Sequence, residues 1–165
     1  MFRRIITLGI VVFCLIGSSL AHAVPDACAL LTVAEVSAAV GQTVSGGNPS
    51  QTGDGGGQCI YVYGTLKQMN QIGVELWQFP SAAEAQKRFS DELKDSQAHD
   101  KGSHKTTVES GVGEGAFSAT GDIASMKAVT WAAVRGSRFL HVVTLGQEAV
   151  SHDRLRGLML KALTR

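Results

Sequence analysis

The sequence predicts an α+β domain in which a largely antiparallel sheet of about five strands packs against three helices, in the order αββαβββα. Three observations predict this fold class. Two segments begin with the residue spacing of a helix start, five short segments have the patterns of strands, and the C-terminal segment repeats apolar residues at helical spacing. Most strands follow one another through short links, which favours antiparallel pairing, and the helices must pack on the sheet to bury their apolar stripes.

The first 23 residues have the composition of a secretory signal peptide. Arg3 and Arg4 give a positive start, residues 5–16 are almost wholly apolar, and small residues lead to Ala23, where we expect cleavage. The apolar run is about a dozen residues long, which is too short for a bilayer span of about 20. We therefore expect an exported protein, periplasmic or secreted, whose mature part is one soluble domain over residues 24–165 with no membrane span.

The charge balance of residues 24–165 argues against nucleic-acid binding. Loss of Arg3 and Arg4 reduces the 15 Lys and Arg to 13, against 14 Asp and Glu, for a net charge of about −1. Domains that bind nucleic acid usually carry a basic excess. The basic residues here are scattered along the chain, so we expect no nucleic-acid partner.

Two cysteines remain after Cys14 is removed with the leader. Cys28 and Cys59 form an even pair in an oxidising compartment, which indicates a disulfide. Closing a loop of about 30 residues stabilises a fold by on the order of 3–4 kcal/mol in the chain-entropy model. The alternative is a metal-binding or redox pair. The sequence has no C-x-x-C, and no histidine lies near either cysteine, so we favour the disulfide.

The first helix is predicted after Thr32. Thr32 and Glu35 have the spacing of a capping box, and Gly41 ends the segment as a C-terminal cap would. The residues predicted to share its apolar face are Val33, Val36 and Val40. Residues 46–57 are rich in Gly, Ser, Asn and Asp, and the pattern predicts a loop there.

Two strands are predicted next, joined as a hairpin. Residues 58–63 alternate with Cys59, Tyr61 and Tyr63 on one side, and residues 71–79 alternate in the same way. A short polar link over residues 64–70 connects them.

A longer amphipathic helix is predicted after Ser81, which has the capping spacing with Glu84. Its predicted buried stripe is Ala82, Ala85, Phe89 and Leu93. The opposite face is interpreted as solvated surface: Lys87, Arg88, Asp91, Glu92, Lys94 and Asp95. Residues 96–106 are predicted to form a polar connector.

The C-terminal part is predicted to contain three strands and a helix. The strands cover residues 116–119, 125–135 and 138–145, and the last two are joined by a tight turn at Gly136 and Ser137. Residues 139–145 are apolar on both faces, which favours a central position in the sheet. A helix follows Ser151, with the apolar positions Leu155, Leu158, Met159, Ala162 and Leu163.

Three short motifs together resemble a broad group of exported bacterial domains. They are DACALLTVAEV at residues 26–36, Cys59-Ile60-Tyr61 after a Gly-rich segment, and GVGEGAF at residues 111–117. Members of that group open with C-x-L-L-T-x-x-E-V and carry a G-x-G-[DE]-x-A-[FY] turn. The resemblance spans nearly the whole mature chain and implies an α+β sandwich akin to PsbP-like folds; no activity is assigned to the group as a whole. Such domains are often lipoproteins, but neither Cys14 nor Cys28 has the position of a lipid-anchor cysteine.

Several residue patterns have the composition of a catalytic or metal site without its geometry. Residues 151–153, Ser-His-Asp, are adjacent and cannot form the relay of a hydrolytic triad, whereas Ser151 fits a helix N-cap. His99, Asp100 and His104 are metal-binding types but lack a fourth ligand nearby. The Gly-rich segment at 53–57 lacks the Gly-Lys-Ser/Thr ending and the following helix of a phosphate loop. The glycines at 111–115 precede a predicted strand, whereas those of a dinucleotide loop open a helix. We assign no catalytic residue, no metal and no cofactor.

Five residues form the candidate ligand patch: Tyr61, Tyr63, Trp77, Trp131 and His141. If the helices leave one sheet face incompletely covered, these side chains would mark a binding site; if they cover it, the aromatic residues are core. The leading hypothesis is a non-enzymatic module that binds an unknown protein or small ligand. The alternatives are a secreted hydrolase with His141 or His152 as general base, and a periplasmic enzyme inhibitor. The specific ligand and the oligomeric state are not defined by the sequence.

Overall fold

A computed structural model describes residues 24–65, 68–123, 125–147 and 150–165. The expected cleavage site at Ala23 lies outside the described residues. Seven strands are present: β1 (Ser45–Gln51), β2 (Gly57–Thr65), β3 (Gln68–Gln78), β4 (Lys105–Glu109), β5 (Gly115–Ile123), β6 (Met126–Arg135) and β7 (Arg138–Gly146). They form one antiparallel sheet in the order β1-β2-β3-β7-β6-β5-β4. Two meanders, β1–β3 and β4–β7, are therefore joined along β3 and β7 at the centre of the sheet.

The predicted fold of about five strands in the order αββαβββα is wrong in its strand count and in its order. The two additional strands, β1 and β4, are the edge strands of the sheet. Most residues of β1 are exposed, and the strand contains Pro49 and a β-bulge between Gly46 and Asn48. An edge strand with no buried face needs no alternation and tolerates proline, which explains why residues 46–57 resemble a loop.

Three α-helices accompany the sheet: α1 (Val33–Val40), α2 (Ala82–Ala98) and α3 (His152–Leu163), with a 3-10 turn at Ala27–Ala29 before α1. The capping box of Thr32 and Glu35 is present, and the Ser81 side chain accepts a hydrogen bond from the Glu84 backbone N–H. Gly41 ends α1 in the left-handed conformation. None of the helices in the described part of the chain has the length and apolar character required to cross a bilayer.

The two faces of the sheet pack against different helices. On the α1/α3 face, the buried residues include Tyr61, Ile72, Trp131 and Leu140, and they pack with the apolar stripe of α3. On the α2 face, Phe89 of α2 packs with Trp77, Phe117 and Phe139. β7 is the middle strand of seven, and burial of residues 139–142 on both faces explains the lack of alternation there. Val143 and Leu145, further along the strand, are apolar but partly exposed.

The disulfide between Cys28 and Cys59 is present. It links the 3-10 turn to β2, and Cys59 is fully buried on the α1/α3 face. The predicted apolar stripe of α3 is buried throughout, from Leu155 to Leu163. In α1 the prediction holds for Val36, whereas Val33 is 42% exposed.

Candidate functional site

The five residues of the predicted ligand patch are buried and lie on opposite faces of the sheet. Tyr61, Tyr63 and Trp131 belong to the core on the α1/α3 face. Trp77 and His141 lie on the α2 face, as their positions on β3 and β7 require. None of the five is more than 8% exposed. The structure therefore brings Trp77 and His141 together, with ring centroids 4.9 Å apart, and separates them from the other three.

His141 lies between two glutamates. Glu75 is its direct cross-strand neighbour on β3, and Glu75 Oε2 lies 3.2 Å from His141 Nδ1. Glu92, on α2, places Oε1 2.7 Å from His141 Nε2, an ion-pair distance whose direction is poor for a hydrogen bond. The imidazole thus connects the centre of the sheet to the helix that covers it.

A polar network continues from these glutamates to both sides. Gln58 Nε2 donates to Glu75 Oε1 at 2.7 Å. Arg88 of α2 lies within 3.5 Å of Glu92 and bonds to Asp54 at 2.8 Å, and Trp77 Nε1 donates to the same Asp54 carboxylate at 2.9 Å. The turn between β1 and β2 is therefore fastened to α2 through Asp54.

The protonation of this network follows from burial and charge. Burial alone would lower the pKa of His141, but the hydrogen bond to Glu75 and the charge of Glu92 raise it above its ordinary value. The hydrogen bond from His141 lowers the pKa of Glu75 against the effect of burial. Burial raises the pKa of Asp54, and its bonds with Thr52, Trp77 and Arg88 more than offset this, so the pKa is lowered. The arrangement favours an imidazolium between two carboxylates.

Neither histidine of the hydrolase hypothesis is hydrogen-bonded to a hydroxyl or thiol among the described residues. His141 has only carboxylate partners. His152 Nε2 and Ser118 Oγ both lie 2.7 Å from Glu109 Oε1. The carboxylate stands between the base and the hydroxyl, whereas a catalytic relay needs the base in contact with the nucleophile.

The other histidines make local contacts. His99 Nδ1 lies 2.7 Å from the Asp95 carbonyl oxygen, and His104 Nδ1 lies 3.2 Å from Asp100. In the described ranges, no group of three or more histidine, cysteine or acidic side chains has the arrangement of a metal site. The network around His141 has no such arrangement either.

Past the row of cross-strand neighbours that contains Glu75 and His141, helix α2 covers its face of the sheet only in part. The next row of cross-strand neighbours contains Ile60, Gly73, Val143 and Thr130, and all four are partly exposed. Their neighbours on the same strands that point to the α1/α3 face are buried, including Tyr61, Ile72, Val74 and Val142. We call the six partly exposed residues of this region the open sheet surface: Ile60, Val62, Gly73, Thr130, Val143 and Leu145.

Gly73 lies in the middle of the open sheet surface, on an interior strand. Its φ is not in the left-handed region, and a Cβ atom added there would meet no atom within 4 Å. Neither backbone conformation nor packing therefore requires glycine. Glycine weakens a strand, and it often marks a place where a ligand or another backbone approaches closely. The missing side chain leaves a notch between Ile60 and Val143.

Sequence reasoning did not identify Glu75, Glu92, Arg88 or Gly73 as members of a site. Arg88 and Glu92 share the polar face of α2, which the sequence pattern predicts to be solvated surface. The one signal available was His141, a titratable residue in the most apolar strand. Its position implies a buried partner but does not say which strand supplies it.

No family model matches the sequence, and no curated protein is significantly similar to it. Among solved structures, the chain is similar to the extracellular domain of PknH from Mycobacterium tuberculosis, with a TM-score of 0.52 and 15% sequence identity. The match covers 82% of this chain and 92% of that chain. At this identity the similarity concerns the fold alone.

Proposed function

We propose that this protein is an exported, disulfide-bonded binding domain that recognises a protein or small ligand through the open sheet surface. The signal-like first 23 residues and the bond between Cys28 and Cys59 support export, because such disulfides persist in oxidising compartments. Similarity in fold to an extracellular domain is compatible with the same location. Fractionation of native material distinguishes a periplasmic protein from a secreted one by the fraction in which the protein is found.

The observation that carries the proposal is Gly73. The fold does not need glycine at this position, and a β-branched residue would strengthen the strand. A position that departs from local preference without a structural reason is expected at a functional site. The notch is flanked by the apolar side chains of Ile60 and Val143, with Glu75 and His141 in the adjoining row. An apolar ligand group would fill the notch, and the adjacent polar groups would fix its orientation.

The network around His141 gives this surface a rigid border. Glu92 links α2 to the sheet, and Arg88 links it to the β1–β2 turn. These contacts hold α2 in position beside the notch. A preformed surface binds with less loss of conformational entropy than one that must be ordered. The absence of a base-to-hydroxyl contact at His141 or His152 in the described residues favours binding over hydrolysis.

The test is Gly73→Val, which places a side chain in the notch at a position where an added Cβ would meet no atom within 4 Å. The purified, oxidised protein is used as bait against the exported fraction, beside Gly73→Val and the control Gly157→Ala, a glycine in α3 whose added Cβ also meets nothing within 4 Å. We expect a component that is retained by the wild type and the control and lost with Gly73→Val, while thermal unfolding shows all three folded. Equal retention by Gly73→Val would refute the assignment of the surface.

The non-enzymatic part of the proposal has its own test. The oxidised protein is incubated with the small-molecule extract of the exported fraction, and consumption of any component is followed by mass spectrometry. We expect no catalytic consumption. Turnover that is abolished in His141→Gln or His152→Gln would overturn the binding-domain proposal in favour of an enzyme.

A further inference from the structure

A cleft of about 470 Å³ lies where the β6–β7 hairpin meets the end of α3. It is distant from the open sheet surface, because Arg135 and Arg138 at the hairpin end point to the α1/α3 face. The polar side chains that line it are Glu114, Arg135, Ser137, Arg138, Thr164 and Arg165. Three of the six are arginines.

Arg135 and Arg138 are direct cross-strand partners. Like charges in directly opposite positions destabilise a hairpin. In the ranges that the structure describes, no carboxylate lies within the 4.0 Å ion-pair distance of either guanidinium. Arg135 donates a hydrogen bond to the Leu163 carbonyl oxygen at 2.8 Å. Burial, followed by the charge of Arg135, lowers the pKa of Arg138. The fold therefore maintains an unfavourable pair of positive charges at a cleft.

The remaining charged groups of the cleft are already engaged. Arg165 makes two bonds to the Glu35 carboxylate, at 3.0 and 2.8 Å. Glu114 accepts a hydrogen bond from the Gly136 backbone N–H at 2.9 Å. With Arg165 paired to Glu35, the positive charges of Arg135 and Arg138, which have no ion pair among the described residues, outweigh the single negative charge of Glu114.

The cleft also offers a free hydroxyl donor. Ser137 Oγ accepts a hydrogen bond from Gln78 Nε2 at 2.6 Å, so its own proton can be donated to a ligand. Donors therefore come from both guanidinium groups and from a hydroxyl between them in the hairpin.

The sequence shows the same segregation of charge. Residues 135–165 contain six of the 15 Lys and Arg and only two of the 14 Asp and Glu, although the whole chain is nearly neutral. Three of these six, Arg135, Arg138 and Arg165, line the cleft, and a local excess of positive charge attracts an anionic ligand.

We propose that the cleft at Arg135 and Arg138 binds a phosphate group. Guanidinium groups bind phosphate by paired, charge-assisted hydrogen bonds. A tetrahedral phosphate presents acceptor oxygens in several directions, which suits two guanidiniums and a hydroxyl better than a planar carboxylate does. Bound phosphate would also relieve the repulsion between the two arginines.

The probe is inorganic phosphate, added at constant ionic strength to the purified, oxidised protein and followed by NMR. We expect saturable shifts of the Gly136 and Ser137 amide signals and of the Arg138 Nε–H signal. Arg138→Gln should weaken the apparent affinity about tenfold or more, the scale of a charge-assisted hydrogen bond. Arg138→Lys, which keeps the charge but loses the paired geometry, should give an intermediate value.

The control is Lys161→Gln, which removes one charge from an exposed position on α3 outside the cleft. It should bind phosphate as the wild type does. Thermal unfolding without phosphate should show Arg138→Gln at least as stable as the wild type, because it removes the repulsion. Equal phosphate affinity in Arg138→Gln and the wild type would overturn the proposal, and acetate binding as tightly as phosphate would overturn the choice of phosphate.

A second arm distinguishes the source of the phosphate. The protein is sedimented with vesicles of phosphatidylglycerol and, separately, of phosphatidylcholine. Sedimentation with phosphatidylglycerol alone, lost in Arg138→Gln, would assign the phosphate to a lipid headgroup. Phosphate binding without sedimentation would assign it to a soluble phosphate ester. No saturable response to phosphate or to vesicles would overturn the site.

Discussion

Replacing His141 by glutamine is expected to change the pH dependence of stability in a defined direction. The pKa of His141 is raised in the folded state, so its charged contacts stabilise the fold fully below the unfolded value of 6.5 and are lost as the pH rises through the folded pKa. The pKa of Glu75 is lowered, so its contribution is present above the unfolded value of 4.5 and is lost as the pH falls through its folded pKa. The contributions of His141 and Glu75 together stabilise the fold most between pH 4.5 and pH 6.5, the unfolded pKa values of the two groups.

The size of the effect has an upper bound. One group that keeps its proton in the folded state and loses it in the unfolded state changes the free energy of unfolding by at most about 1.4 kcal/mol per pH unit. His141 is 7% exposed and Glu75 and Glu92 lie within 3.2 Å of its ring nitrogens, so solvent screens this contact weakly. Above pH 6.5, we expect the wild type to lose stability relative to His141→Gln with a slope approaching that bound.

The assay is urea unfolding at pH 5.5, 6.5, 7.5 and 8.5 for the wild type, His141→Gln and the control His99→Gln. His99 caps the C-terminal end of α2 and contacts Asp95 with a side chain that is 70% exposed. It serves as the control for replacing a histidine whose contacts are screened by solvent. The measured quantity is the difference in free energy of unfolding between wild type and variant at each pH. A difference that stays constant from pH 6.5 to 8.5 would show that His141 is not held protonated by its glutamates.

Two further predictions concern the covalent and steric framework. Replacing Cys28 and Cys59 together by alanine should lower the free energy of unfolding by about 3.7 kcal/mol, the chain-entropy value for the separation of 31 residues; urea unfolding measures it, and the reduced wild type should show a similar loss. Gly57→Ala should destabilise the fold by about 1–3 kcal/mol or more, because its Cβ would lie 1.7 Å from the Pro25 carbonyl oxygen. Gly157→Ala, in the open interior of a helix, should instead stabilise it by about 1 kcal/mol. If the melting temperatures of Gly57→Ala and Gly157→Ala shifted in the same direction, this interpretation would be contradicted.

The helices and central strands were predictable because local chemistry and burial act together in them. The Thr32–Glu35 and Ser81–Glu84 pairs fix the starts of α1 and α2 through backbone hydrogen bonds, which a sequence shows directly. β1 and β4 were not predictable from alternation, because an edge strand pairs on one side only and these two bury almost no side chains. Apolar and polar residues alternate only in a strand that buries one face, so alternation cannot reveal a strand that buries neither.

The site depended on information that no local pattern contains. Glu75 and His141 are 66 positions apart and meet only because β3 pairs with β7 in one register. Glu92 reaches His141 only because α2 crosses the face on which that pair lies. The polar face of a helix that borders a buried histidine has the same sequence pattern as one that borders water, so the pattern predicts solvated surface at Glu92 and Arg88.

The two outermost strands also limit how this molecule can meet other proteins. Pro49 lacks an amide hydrogen, the bulge at Gly46 and Asn48 twists β1 away from a regular ladder, and β4 is only five residues long. Both are poor templates for an added strand from a neighbour. Contacts with a partner are therefore expected to be made by side chains on the broad surfaces and clefts of the domain. Because side chains make these contacts, a single substitution can change which partner is bound.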